Sequence, residues 1–336
     1  MRGGKWFVIA GGLVLTACAT RTHDRSTAIN NSPPEPYVRV LQTESNTILL
    51  QIAARQFVPV RGKGPIIWLT GVSHVGETNY FVSLQKHLDE QSLVLFEGVS
   101  DRDAPRTDTG AADSNQSERE EAQTHPVTKQ ELGSLQSSMA DSLGLAFQLD
   151  SIDYTRPHFR NSDLSVRELQ KVFEEMDSSG EGGAAASFES LLKMMQGGSF
   201  LDTILRVAMQ LLGSSPKLQG MTRLVLIETI GEMKGDPSQL KNLPSQLKQL
   251  LDVLIQRRNE KVISDLKPML KQNNSISLFY GTGHMPDLEM RLRKELRYRP
   301  TGQIWLTAFS VDLGRTGISS AEVALVRGFV QMELEH

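Results

Sequence analysis

The chain carries one short design twice. Ile66-Ile67-Trp68-Leu69-Thr70-Gly71-Val72-Ser73-His74 and, far downstream, Ile276-Ser277-Leu278-Phe279-Tyr280-Gly281-Thr282-Gly283-His284 both run through apolar residues into Gly-x-x-His at matching offsets. A continuous apolar run closed by a glycine turn suits a strand covered on both faces, the setting that a parallel sheet supplies. A helix-like segment follows each copy, so both histidines are expected just beyond the carboxyl ends of their strands. Ligands bind along that edge in open α/β sheets, which gives each imidazole a chemical reading. The plain alternative is a ring that only hydrogen-bonds a backbone carbonyl.

The first copy continues into a βαβ unit. Tyr80, Phe81, Leu84 and Leu88 recur at helical spacing between Glu77 and Asp89, and Ser92–Gly98 is a second buried strand that runs into Glu97. Such crossovers are right-handed and return the chain to the same sheet edge, which puts Glu97 on the rim with His74. Elsewhere, Val38–Pro59 reads as an edge strand or hairpin, Gln130–Phe147 as helix, and Leu149–Tyr154 and Ile304–Phe309 as strands. Ser165-Val166-Arg167-Glu168 is a capping box that opens a helix. The pattern from Phe188 to Lys271 is almost wholly helical, and its last helix, Leu243–Lys271, carries Arg258 and Asn259. The apolar stretch Ala321–Leu334 carries no assignment. The expected fold class is α/β: a central, mostly parallel or mixed sheet built from two similar βα halves, with a mostly helical insertion over 165–271, all in one domain spanning 37–336.

Arg2 and Lys5 precede the apolar run Trp6–Leu15, which ends in Leu15-Thr16-Ala17-Cys18. Residues 1–17 therefore read as a signal segment, and the ending resembles a bacterial lipobox, with Cys18 as the lipidated residue. Cys18 is the single cysteine of the chain, so it has no disulfide partner. More than one acyl chain holds a protein stably on a membrane, and Ala19 after the cysteine points to the outer membrane, facing the periplasm. Residues 18–36 read as a flexible tether. Residues 101–128 form an acidic, disordered loop with too little apolar surface to order itself. The formal net charge is −3 and no long basic face appears, which argues against a nucleic-acid partner. Neither a Gly-x-Ser-x-Gly elbow nor a Walker loop is present, which removes support for serine-hydrolase and nucleotide-hydrolase readings.

Two imidazoles and a carboxylate on one rim are competent ligands for a divalent transition metal. An open coordination position would acidify a water and make a hydrolytic nucleophile. Glu97 is then a ligand or a general base, Arg258 is a candidate to bind a substrate carboxylate or stabilise an oxyanion, and Glu77 shares the face of His74 if the helix starts there. The structural alternatives are a capping role for Glu97 and a surface role for Arg258. Gly71-Val72-Ser73-His74, Glu97, Asn161-Ser162-Asp163-Leu164, Arg258-Asn259 and Gly281-Thr282-Gly283-His284 together resemble the TraB/GumN/Tiki superfamily, which includes the pheromone-shutdown proteins and the Tiki proteases. The resemblance implies an α/β core of duplicated halves and, in the Tiki branch, a Mn- or Co-dependent peptidase; the donor types leave zinc as a further candidate. It assigns His74, His284 and Glu97 to the metal, Glu97 and Arg258 to catalysis, and Asn259 to substrate. The expectation is a lipid-anchored, metal-dependent hydrolase of a peptide or small amide. The alternative is a non-catalytic envelope protein that binds a peptide or signal molecule in the same cleft.

Overall fold

The computed structural model describes residues 32–98, 143–178, 215–234 and 245–335. The expected signal segment with Cys18, the acidic loop 101–128 and the stretch 179–214 lie outside the described residues. In chain order, β1 (Val38–Gln42) and β2 (Thr47–Pro59) lead to β3 (Ile66–Val72), β4 (Val75–Gly76), α1 (Thr78–Asp89) and β5 (Leu93–Phe96). Then come β6 (Ala146–Phe147), α2 (Gln148–Ser151), β7 (Phe159–Asn161) and α3 (Val166–Ser178). Helices α4 (Pro216–Glu232) and α5 (Ser245–Met269) precede β8 (Ser275–Gly281), a 3₁₀ turn (Thr282–His284) and α6 (Met285–Lys294). The chain closes with β9 (Tyr298–Asp312), α7 (Leu313–Thr316) and α8 (Ser320–Glu335).

The main sheet is mixed and runs β1-β2-β3-β8-β5-β7, with β9 against the other side of β2. Strands β3, β8, β5 and β7 are parallel. The hairpin β1–β2 turns at Asn46, whose φ of +57° is a conformation that asparagine tolerates well. β2 is not an edge strand, because β9 pairs along its whole length. The two Gly-x-x-His copies are direct neighbours, since β3 and β8 pair in parallel. Their helices part: α1 packs on one face of the sheet and α6 on the other.

Alternation along the strands explains the two layers. Leu93, Leu95, Ile276, Leu278 and Tyr280 face α5 and α6, meeting Val262, Ile263, Leu266, Leu288 and Leu292. Val94 and Phe279 face the opposite layer, meeting Tyr80, Phe81 and Leu84 of α1, Leu224 and Ile227 of α4, and Val326 and Val330 of α8. The expected helical insertion is thus part of the fold, because α4 and α5 cover opposite faces of the sheet. Its start is capped as expected: Ser165 N–H donates to Glu168 at 2.7 Å, and Ser165 Oγ accepts from Glu168 N–H. Two expectations are corrected. Residues 143–147 are a turn and a short strand, not the end of a helix, and Gln148–Ser151 is a helical turn, not a strand; the outermost parallel strand is β7. Ala321–Leu334 belongs to a helix whose start repeats the capping box, with Ser319 N–H donating to Glu322 at 2.8 Å.

One polar group sits inside the α1 layer. Thr70 Oγ1 lies 3.2 Å from His87 Nε2 and 2.7 Å from Ser277 Oγ, and the His87 ring meets Trp68 edge-on. Burial pushes the His87 pKa below its ordinary value, against a smaller upward pull from Glu90. A histidine depressed in the folded state contributes stability that is complete above the unfolded pKa, about 6.5, and is lost as pH falls toward the folded value. Melting temperature is therefore expected to drop between pH 7 and pH 5, and His87→Leu should show a smaller drop. An identical pH dependence in both proteins would contradict this role.

Candidate functional site

Parallel pairing sets the carboxyl ends of the strands side by side. Val72 is level with Gly281, and Phe96 is level with both Phe279 and Asn161. The residues just past these positions, His74, Glu97, Asp163 and His284, consequently gather at one edge. Gly281 lies between them: a Cβ there would be in ordinary contact with Glu97 Oε2 at 3.4 Å and with His74 Nε2 at 3.6 Å.

Glu97 is held at both oxygens. Arg258 Nη2 donates to Oε1 at 2.7 Å, and the Gly281 N–H donates to Oε2 at 2.7 Å. Arg258 is itself gripped by Asp163, with Nε to Oδ1 at 2.8 Å and Nη2 to Oδ2 at 2.6 Å. Asp163 also accepts from the N–H groups of Gly98 and Leu164, at 3.0 and 2.8 Å, and its side chain is fully buried. A two-pronged Arg–carboxylate pair fixes direction as well as charge. Burial pushes the Glu97 carboxyl upward, but Arg258, then His284, His74 and the Gly281 N–H, outweigh it and bring its pKa to about 2. Glu97 is a carboxylate at any physiological pH.

His284 is the mirror case. Burial pushes it down and Glu97 pulls it up; the net result is a pKa of about 4, so the ring is neutral near pH 7. Its 3.8 Å approach to Glu97 Oε1 is then not an ion pair. Asn259 Nδ2 donates to Asp287 Oδ2 at 2.8 Å and to the His284 carbonyl at 3.3 Å, groups that only accept. Asn259 Oδ1 therefore faces His284 Nδ1, at 2.8 Å, and the proton resides on Nδ1. Nε2 presents its lone pair toward Glu97. His74 is arranged alike: Nδ1 lies 2.8 Å from Gln148 Oε1, and Gln148 Nε2 donates to the Tyr154 hydroxyl at 2.8 Å.

The residues proposed from sequence do not share one position. His74, Glu97, Arg258 and His284 converge. Asn259 is fully buried behind the His284 ring, so its contact is with the imidazole. Glu77 points elsewhere: it accepts from Ser310 N–H and Oγ, at 3.0 and 2.9 Å, and lies 3.6 Å from Arg223. Sequence reasoning missed Gln148, Tyr154 and Asp287; Asp163 had only the Asn161-Ser162-Asp163-Leu164 stretch to signal it. A cleft of about 320 Å³ at the amino ends of the strands, lined by Ser92, His158, Arg160 and Met269 among others, shares no residue with the cluster.

Among the described residues, no group of three or more His, Cys, Asp or Glu side chains is gathered so as to hold a metal ion. The donor chemistry nonetheless fits one. Both rings have Nδ1 engaged by an amide and Nε2 directed inward, the arrangement that outer hydrogen bonds impose on metal-binding histidines, and the adjoining carboxylate is ionised. Glu97 would have to share its oxygens with Arg258.

Residues 57–297 match the model of the TraB/PrgY/gumN family, a span that contains His74, Glu97, Asp163, Arg258 and His284, and the chain belongs to that family. No curated protein and no solved structure matches it.

Proposed function

We propose that this member of the TraB/PrgY/gumN family is a divalent-metal-dependent hydrolase acting on a peptide or small amide. The observation that carries the reading is the convergence of two imidazoles, each with Nδ1 held by an amide oxygen, on an ionised Glu97. His74 and His284 would hold the ion, with Glu97 as a further ligand or the general base. Nitrogen and oxygen donors of this kind suit Mn, Co or Zn. Such an ion supplies Lewis-acid polarisation of a scissile carbonyl and of an attacking water. The chain's own contribution is positional and electrostatic. Glu97, kept ionised beside Arg258, would serve as a ligand or take the proton that the water loses. Asp163 keeps Arg258 aimed, so the guanidinium can also meet a developing oxyanion.

Attachment to the bacterial envelope through a lipidated Cys18 rests on the Leu15-Thr16-Ala17-Cys18 ending. No helix among the described residues is long and apolar enough to cross a membrane. The second reading, an envelope protein that binds a peptide or signal molecule without cleaving it, is favoured by Glu97 already having both oxygens bonded.

Hydrolysis of a peptide and amide panel should be lost when the purified protein is treated with a chelator. It should return on addition of Mn, Co or Zn. Hydrolysis indifferent to chelation, or none with any of the three metals, would contradict the proposal.

A further inference from the structure

The two histidines are held unequally. His284 is 5 % exposed, and its Asn259 partner is locked by groups that can only accept. His74 is exposed, and its ring is tied to Gln148. That amide can in principle turn over, because its other neighbour, the Tyr154 hydroxyl, both donates and accepts. If it turned, Nε2 of Gln148 would face His74 Nδ1 and force the imidazole proton onto its own Nε2, removing the inward lone pair.

The surroundings hold Gln148 in place. It is buried, and its backbone N–H donates to the His74 carbonyl at 2.9 Å. β6, just before it, pairs with β4, just after His74. Arg223 of α4 donates to the carbonyls of Leu143 and Gly144, at 2.7 and 2.9 Å, and so anchors the segment that delivers Gln148. Tyr154 is wedged among Phe96, Phe159 and Phe279, with its ring 4.9 Å from that of Phe96.

We propose that Gln148, oriented by Tyr154, is the positioning residue that keeps the His74 proton on Nδ1 and its Nε2 lone pair turned toward Glu97. The consequence for hydrolysis rests on the metal-site reading above, whereas the tautomer does not. A histidine side chain in water prefers the proton on Nε2, so the Gln148 carbonyl has a measurable preference to reverse.

Long-range ¹H–¹⁵N spectra of histidine-labelled protein at pH 8 read the tautomer directly, with the His74 signals identified by their loss in His74→Ala. Wild type should show the Nδ1–H form. Gln148→Met should shift His74 to Nε2–H, Gln148→Glu, which restores an acceptor, should return it, and Tyr154→Phe should give a mixture. Loss of such an outer-shell partner lowers metal affinity or activity by about 10–100-fold, so Gln148→Met should fall in that range and Gln148→Glu should recover most of it. A wild-type His74 in the Nε2–H form, or an Nδ1–H form unchanged in Gln148→Met, overturns the proposal. Should Gln148→Met fail to fold, the Tyr154→Phe spectrum decides, an unmixed Nδ1–H form overturning it. A tautomer shift in a protein that binds no metal upholds the positioning role and defeats the hydrolase reading.

Discussion

His284→Ala is expected to abolish metal binding and hydrolysis, and His74→Ala is expected to do nearly the same. Removing an outer-shell partner of a ligand typically costs about 10–100-fold, so losing the ligand itself should exceed about 100-fold. The double variant should add little, because groups that act as a unit are not additive. The two single variants differ in stability. His284 is buried against Tyr280, with ring centroids 5.4 Å apart, and its removal leaves Asn259 Oδ1 without a donor. An unsatisfied buried acceptor costs about 1–3 kcal/mol. His74 is exposed, and its loss forfeits one hydrogen bond, about 0.5–1.5 kcal/mol. Equal activity in the wild type and either variant would show that the imidazoles are structural.

Glu289→Ala is expected to give a large fall in stability with no direct contact to the site. Glu289 is fully buried on α6 and accepts from Arg55 Nη1 at 2.6 Å and from the Tyr37 hydroxyl at 2.5 Å, while Arg293 contacts its other oxygen. Arg55 also stacks over the Tyr37 ring at 4.2 Å and donates to the carbonyls of Glu35 and Pro36. The carboxylate is thus the counter-charge that fastens the entry of the chain onto β2. Removing one partner of a buried pair costs roughly 3–5 kcal/mol, because the remaining charge stays buried without compensation. For a domain of this size that corresponds to a melting temperature lower by on the order of 10 °C. Lys267→Ala, which breaks the exposed pair with Glu295, should cost less than about 1 kcal/mol. Similar melting temperatures for the two variants would contradict the assignment.

The parts of the molecule legible in the sequence are those with local causes. The runs ending at Gly71 and Gly281 are apolar at nearly every position because they are covered on both faces, and the handedness of the crossover places Glu97 beside His74. The capping box at Ser165 signals its helix in the same local way. β7 is obscure because it is three residues long and exposes Arg160 and Asn161. α8 is obscure because it is apolar on two sides: Val323, Val326 and Val330 are buried, while Leu325 and Phe329 are 70 % and 50 % exposed. No single stripe marks its period. The central place of β2 depends on β9, some 250 residues away, where Leu50 is level with Phe309. The partners Gln148, Asp163 and Asp287 are ordinary polar residues in sequence, and only the fold brings them against His74, Arg258 and Asn259. The repeat also conceals an asymmetry, since equal offsets lead to one exposed and one buried histidine.

Isothermal titration of Mn, Co and Zn into the wild type, His74→Ala and His284→Ala tests the central claim most directly. The wild type should bind one ion with an affinity that weakens as pH falls, because ligands must be deprotonated to bind, and each variant should show no saturable heat. An absence of binding in the wild type, or equal affinity in all three proteins, would contradict a metal site built on these two histidines.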